Sequence, residues 1–186
     1  MGRACVSLVL GVLLAAPLVL AFAAPASAAA KLMVFPFELI DATAGPAAYG
    51  YDAPGGLPTG PSQAETDRLK TISSDLAARI IKDGRYEIVP TAAVAAEIEA
   101  KRPISQCNGC EDDIARAAGA TKAIVATVEK LSDLLFNFKL YLRDVEAQKL
   151  EAIMSTTVQG STDEAWLRGV RYLAERQLFA VKGATQ

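Results

Sequence analysis

Two cysteines, Cys107 and Cys110, stand at C-x-x-C spacing inside the stretch SQCNGCEDD, residues 105–113. Thiols at this spacing can exchange disulfides, supply half of a tetrahedral metal site, anchor a c-type haem or close a structural loop. Their neighbours reduce the choice. Haem attachment needs a histidine directly after the second cysteine, and Glu111 stands there. A structural zinc site needs four ligands, and the chain has no histidine and no second C-x-x-C. Neither a metal nor a cofactor is expected. Two chemistries remain. A thiol–disulfide oxidoreductase would place Cys107 just before a helix and Cys110 in its first turn, where the helix dipole lowers a thiol pKa. Glu111, Asp112 and Asp113 crowd that position with negative charge, and KRPISQ, not a buried strand, precedes the pair. A disulfide staple fits an oxidising compartment. Closing so short a loop is worth about 2 kcal/mol and would fix the turn into the helix more than the fold. The staple is the expected state and the oxidoreductase is its alternative.

The absence of histidine also removes Ser-His-Asp and Cys-His nucleophiles and imidazole acid–base catalysis. An acidic first helical turn at 111–113 is favourable to the dipole without any cation. Arg143, Arg168 and Arg171 would form an anion site if the last helix packs near a hairpin turn, and would otherwise be solvated. Tyr49 and Tyr51 lie in DATAGPAAYGYDAPGGLPTGP, residues 41–61. Amphipathic aromatics on a Gly/Pro-rich loop suit partner recognition.

These residues must be held by elements that the pattern places. KLMVFPFELI, residues 31–40, is apolar on both faces and predicts a buried strand, with Pro36 forcing an edge position or a bulge. Ser62 and Glu65 form a capping box before Leu69, Ile72, Leu76 and Ile80 at helical spacing, closed by Gly84. RYEIVP is a short strand, and a helix capped by Thr91 stops before Pro103. Asn108 with Glu111 reads as a second capping box, opening a short helix that ends at Gly119. Beyond Gly119 the period becomes two. Ile124, Ala126 and Val128, then Phe136, Phe138, Leu140 and Leu142, then Leu150, Ala152, Met154 and Val158 mark the inward faces of three strands. They predict an antiparallel meander. Ser161 and Glu164 make a third capping box before a helix carrying Trp166, Val170, Leu173 and Gln177 on one face, with Trp166 as a core anchor. The expected fold is α/β (α+β), a mixed sheet with helices packed on it, in the order β-α-β-α-α-β-β-β-α.

Residues 1–28 place Arg3 before an apolar run that ends in Ala26-Ser27-Ala28, the pattern of a cleaved secretory signal peptide. Cleavage there, or at 30, leaves residues 29–186 as one α/β domain. Cys5 precedes the apolar run, so the pattern is not that of a lipoprotein. Losing Arg3 moves the formal charge from −2 to −3. No block of like charge suggests nucleic acid, and no stable membrane insertion is expected after cleavage.

Four stretches together resemble the amino-terminal domain of TolB and its relatives, the CsgG-like and penicillin-binding-protein-activator-like periplasmic domains. They are Val34-Phe35-Pro36-Phe37, the run Asp83 to Val89, Ala115 to Ala120 leading into TKAIVATV, and Leu142-Arg143-Asp144-Val145. The C-x-x-C with GSTDEAWLRGVRYL is further similar to a family of small secreted proteobacterial proteins, often from methylotrophs, with no assigned activity. The resemblance implies the periplasm and no chemistry. The function expected is a non-enzymatic accessory domain that binds another envelope protein through the 41–61 loop and a sheet edge. A thiol oxidoreductase and a small-ligand carrier with its pocket under that loop are the alternatives.

Overall fold

The computed structural model describes residues 29–44 and 60–181. The signal segment and both loop tyrosines, Tyr49 and Tyr51, lie outside the described residues. The sheet runs β3-β1-β4-β5-β6, with β2 beside β4. Here β1 is Ala30–Val34, β2 Glu38–Asp41, β3 Tyr86–Val89, β4 Lys122–Ser132, β5 Leu135–Asp144 and β6 Lys149–Gln159. The helices are α1 (Gln63–Asp83), α2 (Ala95–Ala100), α3 (Cys110–Ala117) and α4 (Asp163–Tyr172). The mixed α/β sheet with its three-strand antiparallel end is the fold expected.

The first apolar run is divided at Pro36 into β1 and β2, both parallel to β4. Proline has no N–H for the ladder. The residues around it satisfy theirs elsewhere: Phe35 N donates to Ile124 O at 2.9 Å, and Phe37 N turns to Ser73 Oγ of α1 at 3.0 Å. Pro36 therefore marks a break inside the strand.

Strand β4 feeds two cores, which is why it reads as a continuous apolar run. Ile124, Ala126 and Val128 face α1 and α4, with Phe136, Phe138, Leu140, Leu142 and Trp166. Ala123 and Val125 face α2 and α3, with Met33, Phe35, Ile98, Ile104 and Ile114. Trp166 meets Phe136 and Phe138 edge-on at 5.0 and 5.3 Å. Between them α4 comes so close to β6 that a Cβ on Gly169 would stand 2.5 Å from Val158 Cγ2.

The caps divide into one that matches and three that do not. Ser62 and Glu65 form a reciprocal box on α1, and Gly84 closes that helix at φ 79°. Thr91 makes no side-chain cap; a 3-10 turn, Ala92–Val94, intervenes before α2. The cap position of α3 is Gly109 at φ 116°, with no side-chain cap, and Asn108, left-handed at φ 53°, lacks the extended backbone that a capping side chain needs. The cap of α4 is Thr162, one residue beyond Ser161: Thr162 has the extended backbone a cap needs, and its hydroxyl accepts from Ala165 N at 3.3 Å. Leu150 also departs from expectation. A bulge between Leu142 and Arg143 brings Leu150 opposite Arg143, which turns it to the other face and leaves it 46% exposed. Among the described residues no helix is long and apolar enough to cross a membrane.

Candidate functional site

The C-x-x-C turn is held from two sides. From β2, the buried Glu38 accepts from Ile104 N at 2.8 Å and Ser105 N at 3.0 Å, fixing the 3-10 turn Ile104–Gln106 that leads to Cys107. Arg102 Nε lies 3.6 Å from the same carboxylate. From β5, Arg143 reaches into the first turn of α3. Its Nε and Nη2 donate to the two oxygens of Asp112 at 2.8 and 2.5 Å, and Nε lies 3.3 Å from Glu111 Oε1. Asp112 is fully buried and Glu111 nearly so. The hydrogen bonds to Asp112 hold the Arg143 guanidinium above its ordinary pKa.

Between these anchors Cys107 and Cys110 lie at disulfide-bonding distance, 1.95 Å between sulfurs and 5.6 Å between Cα atoms. Glu111 Oε2 accepts from Gly109 N at 2.9 Å and lies 3.2 Å from Cys107 Sγ. A carboxylate against sulfur penalises a thiolate there. Ligand atoms of Cys107, Cys110 and Glu111 fall within 4.8 Å of one another. Two of the three are sulfurs bonded to each other, so even these three donors come free together only after reduction. The turn opens on a shallow depression of about 720 Å3 bordered by Asn108, Asp113, Arg143 and Gln148. Beside it, a recess of about 120 Å3 lies between Ile104, Ser105, Val125, Tyr141 and Leu150.

The three arginines are not brought together. Arg143 faces α3, whereas α4 packs through Trp166 on Phe136 and Phe138, which alternate to the opposite face of β5. Arg168 and Tyr172 border an open groove against Thr156–Gln159 of β6, and Arg171 is exposed nearby on α4.

Sequence reasoning missed Glu38, whose signal is one carboxylate in an otherwise apolar strand. It also missed the outer edge of β6. Ser155 N donates to Gln177 Oε1 at 3.1 Å, and Gln177 Nε2 donates to Ser155 O at 2.8 Å. Both backbone groups of Ser155 therefore point away from β5. Alternation along an antiparallel strand gives Ile153 and Thr157 the same outward aim, and the Ile153 side chain is 58% exposed. The run Ala152–Gln159, without a charge or a proline, is the signal that would have found it.

No curated protein sequence matches the chain. Among solved structures it is similar to lipoprotein GNA1162 from Neisseria meningitidis, with 15% identity over 83% of this chain and 99% of that one and a TM-score of 0.50. It is also similar to the LpoB C-terminal domain from Salmonella enterica, with 14% identity, 73% and 86% coverage and a TM-score of 0.43. With TolB from Acinetobacter baumannii it shares 15% identity over 82% of this chain and 28% of that one, at a TM-score of 0.46. The first likeness shows a shared fold and nothing further, and the other two are too distant to carry an argument. A family model described as "Protein of unknown function (DUF2380)" matches residues 30–178, and the chain belongs to that family.

Proposed function

We propose that the chain, after removal of residues 1–28, is a periplasmic accessory domain that binds another envelope protein and catalyses no reaction. The observation that carries the reading is the outer strand β6, an edge with outward backbone groups and an exposed Ile153 beside an exposed Leu150. Unpaired strand edges and exposed apolar side chains are what partner proteins cover. The Cys107–Cys110 pair is read as a staple, because Glu111 disfavours the thiolate that exchange chemistry needs. A small-ligand carrier would hold its pocket under the 41–61 loop, most of which lies outside the described residues. Among the described residues the recess at Tyr141 and Leu150, about 120 Å3, is below the roughly 300 Å3 of small-ligand pockets, and the depression of about 720 Å3 beside it is shallow. Tyr49 and Tyr51 stay in the proposal as partner contacts from the 41–61 loop. Cross-linking capture from periplasmic extract tests it with wild type, Ile153→Asp and the Tyr49→Ala/Tyr51→Ala pair. One protein should be recovered by wild type and lost with Ile153→Asp at unchanged melting temperature. Equal recovery by all three would defeat the reading.

A further inference from the structure

We propose that β6 is the docking edge of this interaction, that its occupant is an extended acidic segment of the partner, and that Gln177 is a latch the segment displaces. The proposal rests on the reading that the chain binds another envelope protein. A neighbouring strand would offer Ser155 one carbonyl and one N–H. The Gln177 carboxamide already supplies both, at 3.1 and 2.8 Å. A side-chain amide thus occupies one position of an absent strand, while the outward groups of Ile153 and Thr157 flank it. Gln177 ends a π turn, Leu173–Gln177, that continues α4. Such wide turns are rare and cluster at functional positions.

Charge selects the occupant. Long edge strands are ordinarily guarded by charges or proline, and Ala152–Gln159 has neither. The helical segment bordering that edge carries exposed Arg168, Arg171 and Arg176. None of the three forms an ion pair among the described residues, whereas Arg68, Arg79, Arg85, Arg102, Arg116 and Arg143 all do. Glu164 stands one turn before Arg168 on α4, without an ion pair between them. A second copy of this chain fits poorly: two-fold pairing of β6 around Thr156 would bring both Arg168 side chains to the shared groove, like charge against like. Backbone pairing with the uncharged run Ala152–Gln159 beside a basic rim calls for a partner segment that is extended and acidic.

The test uses a fluorescein-labelled peptide of about nine residues alternating valine with aspartate, long enough to span an average strand, and a matched valine–lysine peptide. Anisotropy titrations are made on wild type, Gln177→Ala, Thr157→Pro and the Arg168→Glu/Arg171→Glu pair. The aspartate peptide should bind saturably, and about three- to tenfold more tightly to Gln177→Ala, because two competing hydrogen bonds are gone. Thr157→Pro removes an outward donor without touching the β5 ladder, and should weaken binding about tenfold while melting close to wild type. The glutamate pair should reverse the preference between peptides. Equal binding of both peptides by wild type would overturn the proposal. So would unchanged or weaker binding by Gln177→Ala, or a wild-type dimer that Thr157→Pro dissociates, which would make a second copy the occupant. Peptide binding is read on the purified chain alone. Its failure overturns the edge assignment, while capture from extract judges separately whether the chain has an envelope partner.

Discussion

Glu111 lies between the Arg143 guanidinium and the Cys107 sulfur, with Asp112 on the same guanidinium, and this neighbourhood sets the chemistry of residues 105–113. Bidentate pairing to the fully buried Asp112, with Glu111 beside it, ties the C-x-x-C turn to the sheet. Removing one partner of a buried pair strands the other charge. Arg143→Met should therefore cost about 3 to 5 kcal/mol in urea unfolding, and a cost under about 1 kcal/mol would mean that the two carboxylates are hydrated. The same carboxylates bear on the cysteines. A thiolate beside Glu111 is disfavoured, so the oxidised form is the more stable one. The purified chain should show no free thiol, and its disulfide potential should fall below about −300 mV. A value near −200 mV with insulin-reducing activity would make the pair a catalyst. The sequence displayed the C-x-x-C, the acidic run and Arg143 separately. Their convergence was not legible, because nothing in the residues 105–113 says which face of an eight-residue helix meets β5.

At the scale of elements, the meander and α1 were readable because their periods are long and their breaks chemical. Ten residues of strict alternation in β5 put Phe138 inward, and it is fully buried against Trp166 and Phe37. Phe138→Ala should cost about 3 to 5 kcal/mol by thermal or urea unfolding; under about 1 kcal/mol would mean a collapsible site. Gly169→Ala should cost about 1 to 3 kcal/mol by overpacking Val158, and Val158→Ala in the same chain should recover part of it. Electrostatics at the α1 cap add a pH dependence. Burial raises the Glu65 carboxyl, but the Ser62 hydrogen bonds and Lys130 outweigh it and hold the pKa below its usual value. A lowered folded pKa stabilises above the unfolded value and is lost as pH falls through the folded one. Glu65→Gln should then cost about 1 kcal/mol at pH 7, with the difference from wild type shrinking as pH falls below the unfolded glutamate value of about 4.3 and lost once the lowered folded value is passed; a constant difference would exclude the carboxylate as its source. The misplaced caps, at Asn108 and Ser161, failed for one reason: spacing names a position, but the turn backbone decides it, left-handed at Asn108 and extended one residue late at Thr162.

For the whole molecule, the sheet carries the stapled turn beside one face and ends in an open edge at β6. One end of the order, β3, is a strand of four residues, and the other is the eleven-residue β6. Sequence reasoning could place β6 last in the meander but could not see that it ends the sheet, since that depends on the parallel strands stacking on the far side of β4. Nor could it see the bulge that exposes Leu150. We propose that this open edge is where another envelope protein docks. A photo-reactive phenylalanine derivative introduced at Ile153 tests it most directly, with the same group at Lys70, an exposed position on α1, as the control. After irradiation in the native envelope, a discrete adduct with one protein is expected from position 153 and none from position 70. Identical adducts from both positions, or none from 153 in a correctly folded chain, would contradict it.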